Sequence, residues 1–233
     1  MYEEKIIPPK KSMPQAVDGT LRKFALRVPE VIYQCSGIIV FGKRIKSLVF
    51  STDLSIIKNV NADAIIAVYP FTPQPIITQA LLLAADIPVF AGVGGGLTKG
   101  QRVVNLAMFA EMQGATGVVL NAPTANTVVQ HVAETIDIPV VVTVARADTD
   151  FEARLQAGAN IFNVSAAAET PAIVRSIRER YPDVPIIATG GPTDESILET
   201  IQAGANAITW TPPSNGEIFR DIMAAYRDNK PHP

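Results

Sequence analysis

Two short sequence patterns alternate along the chain from about residue 47 onward. In the first, a polar turn and a proline precede an apolar run, as in Asp86-Ile-Pro-Val-Phe-Ala, Asp137-Ile-Pro-Val-Val-Val and Asp183-Val-Pro-Ile-Ile-Ala. These copies are 46 to 51 residues apart. Proline is tolerated at the first position of a strand, although its nitrogen has no hydrogen to donate. Each copy therefore predicts the start of a buried strand, and the spacing indicates a repeated architecture.

The second pattern is a helix end rich in alanine and glycine that leads into another apolar run. It occurs at Asn61-Ala-Asp-Ala-Ile-Ile, Gln113-Gly-Ala-Thr-Gly-Val-Val, Gln156-Ala-Gly-Ala-Asn-Ile-Phe and Gln202-Ala-Gly-Ala-Asn-Ala-Ile. Gly114, Gly158 and Gly204 fit helix C-cap positions, where a left-handed backbone favours glycine. The alternation of the two patterns predicts eight strand and helix units.

These units define the expected fold class. The predicted strands are 47–52, 63–69, 87–92, 117–121, 138–145, 161–165, 185–189 and 207–211, and the predicted helices are 54–60, 73–85, 99–114, 125–136, 150–158, 170–181, 194–204 and 216–227. Apolar strands that alternate with amphipathic helices indicate a parallel sheet covered by helices. Eight units favour a single-domain α/β fold, the (β/α)8 TIM barrel. An open doubly wound sheet is the alternative, because the sequence does not show whether the sheet closes.

The first 50 residues share this repeat only in part. Residues 1–36 are predicted to form an N-terminal arm and a capping helix, and residues 37–233 the barrel. Two extended runs are predicted at 37–42 and 45–50, joined by a basic turn at Lys43-Arg44. The second of these runs is the first predicted barrel strand.

Composition and charge exclude several classes of function. The formal net charge is −2 and both signs are interspersed, so neither nucleic acid nor a membrane surface is an expected partner. The lack of a long apolar span and of a cleavable leader predicts a cytoplasmic protein. With one cysteine, Cys35, and two histidines, the chain offers no cysteine cluster or multi-histidine metal site. Cys35 is predicted to be a buried structural thiol.

Small aliphatic helix faces predict self-association. The segment from Ala80 to Ala85 is entirely aliphatic. Such residues line either a contact between copies of the chain or the interface between a helix and the barrel. The prediction is a homo-oligomer.

Polar residues recur at the predicted carboxyl ends of the strands, where barrels of this kind carry their binding and catalytic groups. Polar side chains in apolar strands cost stability unless they are paired, so this recurrence predicts a wet pocket. The candidate catalytic residues are Asp53, Tyr69, Lys99, Asn121, Arg146 and Asn163.

Three of these candidates also have a purely structural interpretation. Asp53 is predicted to be a general base or cation ligand, or else the cap of the first helix. The Arg146 guanidinium can bind a carboxylate or phosphate bidentately, or pair with Asp148 or Asp150. Tyr69 is a proton donor or a packing residue.

A candidate phosphate site lies near the end of the chain. The run Ile186-Ile-Ala-Thr-Gly-Gly-Pro-Thr, the helix end Ala203-Gly-Ala205 and an eighth strand resemble the last quarter of the aldolase-type barrels of the ribulose-phosphate-binding-like superfamily. Keto-deoxy-phosphogluconate aldolases and thiamine phosphate synthases share this feature, and elsewhere the resemblance is only architectural. It implies that Thr189, Gly190 and Gly191 contact a phosphate and that the eighth loop completes the site.

The residues themselves leave an alternative, since paired glycines also suit a tight turn that has no ligand. Ser214, Asn215 and Gly216 begin the last helix, whose N-terminus favours anions, and they are the predicted second half of the phosphate site. The preceding residues, Thr211-Pro-Pro213, stand where the resembling families carry a Gly-Ser or Gly-Gly pair. Two prolines remove two N–H donors from that loop.

Two classes of function remain. The first is an enzyme acting on a small phosphorylated or carboxylated metabolite as a lyase, isomerase or synthase, by acid–base chemistry or with a carboxylate-bound Mg²⁺. Predicted strands two to eight contain no lysine for a Schiff base. Lys99 follows a glycine run, and in that flexible loop its side chain is predicted to lie either over the mouth or in solvent. The second class is a non-catalytic, metabolite-sensing barrel, which the absence of histidine at the mouth favours. A fold alone does not choose between them.

Overall fold

The computed structural model describes residues 25–232 together with residues 15, 17 and 19. Its strands are β1 (Ile38–Val40), β2 (Lys43–Ile45), β3 (Ser47–Phe50), β4 (Ala64–Ala67), β5 (Val89–Gly94), β6 (Gly117–Leu120), β7 (Val140–Val144), β8 (Ile161–Val164), β9 (Ile186–Thr189) and β10 (Ala207–Trp210). Its α-helices are α1 (Leu54–Lys58), α2 (Pro75–Ala84), α3 (Gln101–Met112), α4 (Asn126–Thr135), α5 (Phe151–Gln156), α6 (Thr170–Arg180), α7 (Asp194–Gln202) and α8 (Asn215–Arg227).

Strands β3 to β10 form a closed parallel barrel in sequence order, and β10 pairs with β3 to complete the ring. One helix follows each of these strands. The predicted (β/α)8 barrel is therefore confirmed, and the open sheet is excluded by the pairing of Ile208 with Ser47.

The strands are apolar almost throughout because both of their faces are buried. Alternate residues such as Leu48, Val141 and Ile187 form one cluster inside the barrel, and the residues between them pack against the helices. Phe90 is the largest side chain of the inner cluster and is fully buried. A Cβ at Gly117 would lie 2.7 Å from Phe90 Cδ1, so this glycine gives the ring its space.

A β-hairpin closes the amino-terminal end of the barrel. Strands β1 and β2 pair antiparallel, and Ile38, Val40 and Ile45 join the inner cluster. The predicted basic turn at Lys43-Arg44 is wrong, since both residues lie in β2. The turn is Phe41-Gly42 with φ values of 47° and 76°, the pair of positive angles that a two-residue hairpin turn requires.

The segment 26–36 lies on the outside of the barrel. Leu26 pairs with Val60 after α1, and the Gly37 N–H donates to Asn206 O just before β10. Between these points a 3-10 helix, Glu30–Gln34, packs against α7. Residues 1–14 of the predicted arm lie outside the described residues, and the boundary at residue 36 stays a prediction.

Cys35 is buried in this segment, as predicted. Burial raises the pKa of its thiol to about 12. Because folding favours the protonated thiol, the contribution of Cys35 to stability is complete below its unfolded pKa and is lost as the pH rises towards 12. We expect iodoacetamide at pH 8 to alkylate Cys35 at least 100-fold more slowly than it does in urea, where the thiol has an ordinary pKa. Equal rates would show that the segment opens readily.

Candidate functional site

A group of neutral polar side chains lies inside the barrel at the carboxyl ends of β7 to β10. We call Thr143, Asn163, Thr189 and Thr209 the polar layer. In each strand, the residue just before the polar one belongs to the outer apolar cluster, and the residue two positions before it belongs to the inner cluster. Because side chains alternate between the two faces of a strand, these four polar side chains point into the barrel. Thr143 is the ladder partner of Asn163, and Thr189 that of Thr209.

Two atoms of the polar layer are buried without a hydrogen-bond partner among the described residues. They are Asn163 Oδ1 and Thr209 Oγ1, whose residues are 9% and 6% exposed. The Asn163 amide nitrogen lies 3.4 Å from Thr143 Oγ1, and the Thr189 hydroxyl donates to Ser165 Oγ at 3.2 Å. Buried polar atoms are almost always paired, so an acceptor and a hydroxyl left over at one end of a barrel indicate a place for water or a ligand.

Several cavities open around this mouth. One of about 370 Å³, which we call the β9–β10 cavity, is lined by Thr189, Gly191, Thr209 and Thr211 and by the apolar residues Pro29, Pro192, Ile197 and Trp210. A cavity of about 410 Å³ between α6 and α7 also touches Thr189 and both glycines. Another of about 240 Å³ lies over β4 to β6, where Asn121 and Tyr69 are among the lining residues. Thr98 in this last cavity also has a buried hydroxyl without a partner among the described residues. Sequence reasoning missed Thr98, because its position in a loop after a glycine run does not reveal burial.

The paired glycines meet geometric needs of the protein itself. A Cβ at Gly190 would lie 2.7 Å from Ile197 Cγ1 and 2.8 Å from Ile208 Cγ2, so this glycine lets α7 pack against β10. Gly191 has φ 84°, and a Cβ there would lie 2.5 Å from Ser196 Oγ. The tight-turn interpretation therefore has a structural basis, and the phosphate contact stays a prediction.

The residues of the last loop bond to groups other than the paired glycines. Ser214 forms a capping box with Glu217, and its backbone N–H lies 2.7 Å from the carboxylate. Asn215 Nδ2 donates to Asp53 Oδ2 at 2.6 Å. A Cβ at Gly216 would lie 3.9 Å from Ser214 Oγ, an ordinary contact. The N-terminus of α8 thus already holds a carboxylate, and Thr211 rather than residues 214–216 lines the β9–β10 cavity.

Asp53 is the cap of α1. Its Oδ1 accepts hydrogen bonds from the Ser55 N–H at 2.8 Å and the Ile56 N–H at 3.3 Å. The hydrogen bond from the Ser55 hydroxyl, together with these N–H groups, holds the pKa of Asp53 below its usual value. A carboxylate with a lowered pKa and both oxygens engaged is a weak base, so the geometry favours the capping role.

The remaining candidates are spread around the rim. Arg146 binds Asp148 bidentately, with Nε to Oδ1 at 2.9 Å and Nη2 to Oδ2 at 2.7 Å. This pair raises the pKa of Arg146, and both side chains are exposed. Tyr69 Oη accepts from the Gln74 N–H at 2.8 Å, and Lys99 is exposed in the loop after β5. Of the six catalytic candidates, only Asn163 belongs to the polar layer.

Arg154 shapes the mouth although the sequence pattern did not select it. Its guanidinium on α5 donates to Ala122 O and to Asn126 Oδ1, both at 2.8 Å, and to Thr124 O. Burial lowers its pKa. It therefore fixes the loop after β6 to helix α5. In sequence, an arginine within a short helix is typical of an exposed residue. The role of Arg154 could therefore not be predicted, because its acceptors lie about 30 residues earlier in the chain, in the loop after β6.

The carboxylates of the mouth bear on the predicted Mg²⁺. Within the described part of the chain, no group of three or more His, Cys, Asp or Glu residues could hold a metal ion. Mg²⁺ needs only one or two carboxylates with ordered waters, and the candidate cation ligand Asp53 already uses both oxygens in hydrogen bonds. The Mg²⁺ stays a prediction, and no chemical step below depends on it.

The closed parallel sheet and its eight helices define a (β/α)8 barrel, the architecture of aldolase-type barrels. Among solved structures, phosphonopyruvate hydrolase in complex with oxalate and Mg²⁺ is similar with a TM-score of 0.59 and 14% identity, covering 80% of this chain and 84% of that one. Phosphoenolpyruvate phosphomutase from Streptomyces platensis subsp. rosaceus is similar with a TM-score of 0.60 and 15% identity, covering 85% of this chain and 86% of that one.

A third structure, 2,3-dimethylmalate lyase of the PEP mutase/isocitrate lyase superfamily, is similar with a TM-score of 0.61 and 13% identity, covering 91% of this chain and 88% of that one. At such identities the likeness shows the fold. The expected aldolase-type barrel is confirmed, whereas the ribulose-phosphate-binding family in particular is not supported. No family model and no curated protein sequence matches the chain. No helix of the described residues has the length and apolar character to cross a membrane.

Proposed function

We propose that the mouth of the barrel binds a small phosphorylated or carboxylated metabolite and that the protein acts on it as a lyase, isomerase or synthase. The observation that carries this proposal is the polar layer, in which Asn163 Oδ1 and Thr209 Oγ1 are buried and unpartnered among the described residues. Ligand hydroxyls would satisfy these atoms, since a hydroxyl donates to the Asn163 oxygen and accepts from the Thr209 hydroxyl. Their desolvation then favours a ligand that carries such a group.

The anionic end of the ligand belongs in the β9–β10 cavity. Gly191 and Thr189 line it beside Thr209, so an anion there lies next to the polar layer. The barrel interior has neither lysine nor arginine at these positions, and backbone N–H groups and hydroxyls are the available donors. Proteins similar in fold include a phosphonopyruvate hydrolase and a phosphoenolpyruvate phosphomutase, whose names are consistent with a substrate that carries a carboxylate together with a phosphonate or a phosphate.

A non-catalytic, metabolite-sensing barrel is the second candidate. The observation that favours it is the neutrality of the polar layer, in which all four side chains are hydroxyls or an amide. General acid–base catalysis needs a group that titrates near the working pH. Incubating the protein with a ligand that it retains on purification distinguishes the two functions. An enzyme converts the ligand into a product, whereas a sensor binds and releases it unchanged.

Replacing the unpartnered polar atoms tests the site. We expect Thr209→Val to raise the free energy of unfolding by about 1 kcal/mol, since it removes a buried hydroxyl that has no partner. The same change should weaken ligand binding at least tenfold. Asn163→Leu should weaken binding similarly. Urea unfolding measures the first effect, and native mass spectrometry of the purified proteins measures retained ligand.

Thr200→Val is the matched control. Thr200 is 1% exposed, but its hydroxyl donates to Ser196 O at 2.9 Å. Its replacement should lower stability and leave ligand retention unchanged. A fall in stability for Thr209→Val with no change in retained ligand would show that the polar layer is structural.

A further inference from the structure

The cavity of about 240 Å³ over β4 to β6, which we call the β4–β6 cavity, is separate from the β9–β10 cavity. The two have no lining residue in common. In the ring of eight strands, β5 is three strands from β10 and four from β9. Cavities that hold a whole drug-sized ligand measure about 300–1,000 Å³, so this one suits a small molecule or a single chemical group.

A bulged strand forms one side of the β4–β6 cavity. The register of β5 against β6 shifts between Gly92 and Gly94, and both glycines line the cavity. Because glycine has no side chain, the backbone of β5 leaves this space open. The Asn121 N–H donates to Gly94 O at 2.9 Å, so the bulge also positions Asn121 at the cavity. Bulges are over-represented at barrel rims and next to active sites, which is consistent with a binding position here.

Three polar side chains of the β4–β6 cavity have unused hydrogen-bonding capacity. Among the described residues, Asn121 forms hydrogen bonds only through its backbone, so its amide has two donor hydrogens and an acceptor to offer. The Thr98 hydroxyl is buried without a partner among these residues, and Thr98 is 5% exposed. Tyr69 Oη accepts from the Gln74 N–H, which leaves its own hydrogen to donate. A ligand group that both donates and accepts would satisfy them.

The remaining walls of the β4–β6 cavity are apolar. Phe71 in the loop after β4 and Leu97 in the loop after β5 both line it, and they are 74% and 92% exposed. An aromatic ring packs favourably against another ring such as that of Phe71. No charged residue is among the lining residues. Because an unpaired charge is costly to bury, the cavity favours an uncharged ligand.

We infer that the β4–β6 cavity binds an uncharged aromatic ring that carries an amide group. The ring packs against Phe71 and Leu97, and the amide bonds to Asn121 and Thr98. Two amides pair through two hydrogen bonds, since each supplies an N–H and a C=O. The site needs no anion in the β9–β10 cavity, so the inference does not rest on the function proposed above. It gives Tyr69 and Asn121 a binding role.

Benzamide is a suitable probe, and benzoate is its matched control with nearly the same shape and a negative charge. We expect benzamide to shift the backbone NMR signals of residues 92–98. The dissociation constant of benzoate from the same signals should be at least tenfold higher. Excess inorganic phosphate should leave the affinity for benzamide unchanged. Displacement of benzamide by phosphate, or no shift of these signals at the solubility limit of benzamide, would overturn the inference.

Polar substitutions test the hydrogen bonds. Thr98→Val and Asn121→Leu should each raise the dissociation constant of benzamide at least fivefold. Neither removes a side-chain hydrogen bond between described residues, so both variants should stay folded, which circular dichroism checks. Thr98→Ser keeps the hydroxyl and should retain the affinity. Unchanged affinity in both Thr98→Val and Asn121→Leu would show that benzamide does not bind as inferred.

Apolar substitutions test the walls. Leu97→Ala should weaken benzamide binding at least threefold, because it removes a wall of the cavity. Leu83→Ala is the matched control, since Leu83 on α2 is 81% exposed and does not line the cavity. It should leave the affinity unchanged. Equal affinities in the two variants would contradict the placement of the ring against Leu97.

Discussion

Gly191→Asp should lower the affinity for inorganic phosphate and for glycerol 3-phosphate at least 100-fold. Gly191 lines the β9–β10 cavity beside Thr189 and Thr209, so a carboxylate there would meet the bound anion in a confined space. The loss corresponds to about 2.7 kcal/mol of binding free energy at 25 °C. Isothermal titration calorimetry at fixed salt measures the affinity.

Two further variants separate charge from backbone strain. Gly114→Asp is the control for strain, because Gly114 also has a positive φ, 94° compared with 84° at Gly191. Nothing lies within 4 Å of a Cβ at this position, which follows α3 at the other end of the barrel. It should cost similar backbone strain and leave phosphate affinity unchanged. Gly191→Asn has nearly the same size without the charge and should retain more affinity than Gly191→Asp. Undiminished affinity in Gly191→Asp would show that the paired glycines serve only the turn.

Phe90→Ala should lower the free energy of unfolding by about 3–5 kcal/mol. The ring is fully buried inside the barrel and fills the space beside Gly117, so its removal leaves a cavity that the closed sheet cannot collapse around. Phe109→Ala is the control, because Phe109 on α3 is 46% exposed and should cost far less. Urea unfolding followed by circular dichroism measures both. Equal effects would mean that the inner cluster is loosely packed.

The barrel could be predicted because its elements depend on local rules. Proline at strand starts, as at Pro139, and glycine at helix ends, as at Gly158 with φ 99°, mark each unit independently. The hairpin turn could not be predicted, since Phe41 adopts a positive φ that is uncommon for an aromatic residue. The adjacent charged residues Lys43 and Arg44 are more typical of a turn than Phe41, so the turn was predicted one to two residues too late.

The roles at the mouth depend on contacts between residues far apart in the chain. Asp53 suits a base or a cap equally well in sequence, and Asn215, which occupies its second oxygen, is 162 residues away. The recurrence of polar residues at strand ends led to Asn163, which lies near the carboxyl end of β8. Which atoms of the polar layer lack partners could not be predicted, because that depends on the packing of four neighbouring strands.

The position of α8 shows the same limit. Its amphipathic pattern is evident in sequence, but none of its residues is buried in the structure. The segment 26–36 precedes the first barrel strand and carries only weak periodicity, and it packs against α7. Its position therefore became known only from the fold.

The most direct test of the proposed ligand site is a crystal structure of the wild-type protein soaked with glycerol 3-phosphate. We predict that the phosphate lies in the cavity beside Gly191 and that ligand hydroxyls lie within about 3.2 Å of Asn163 Oδ1 and Thr209 Oγ1. The same soak of Thr209→Val should show the ligand at much lower occupancy. Ligand bound only outside the mouth, or equal occupancy in the two proteins, would contradict the proposal that the polar layer is the binding site.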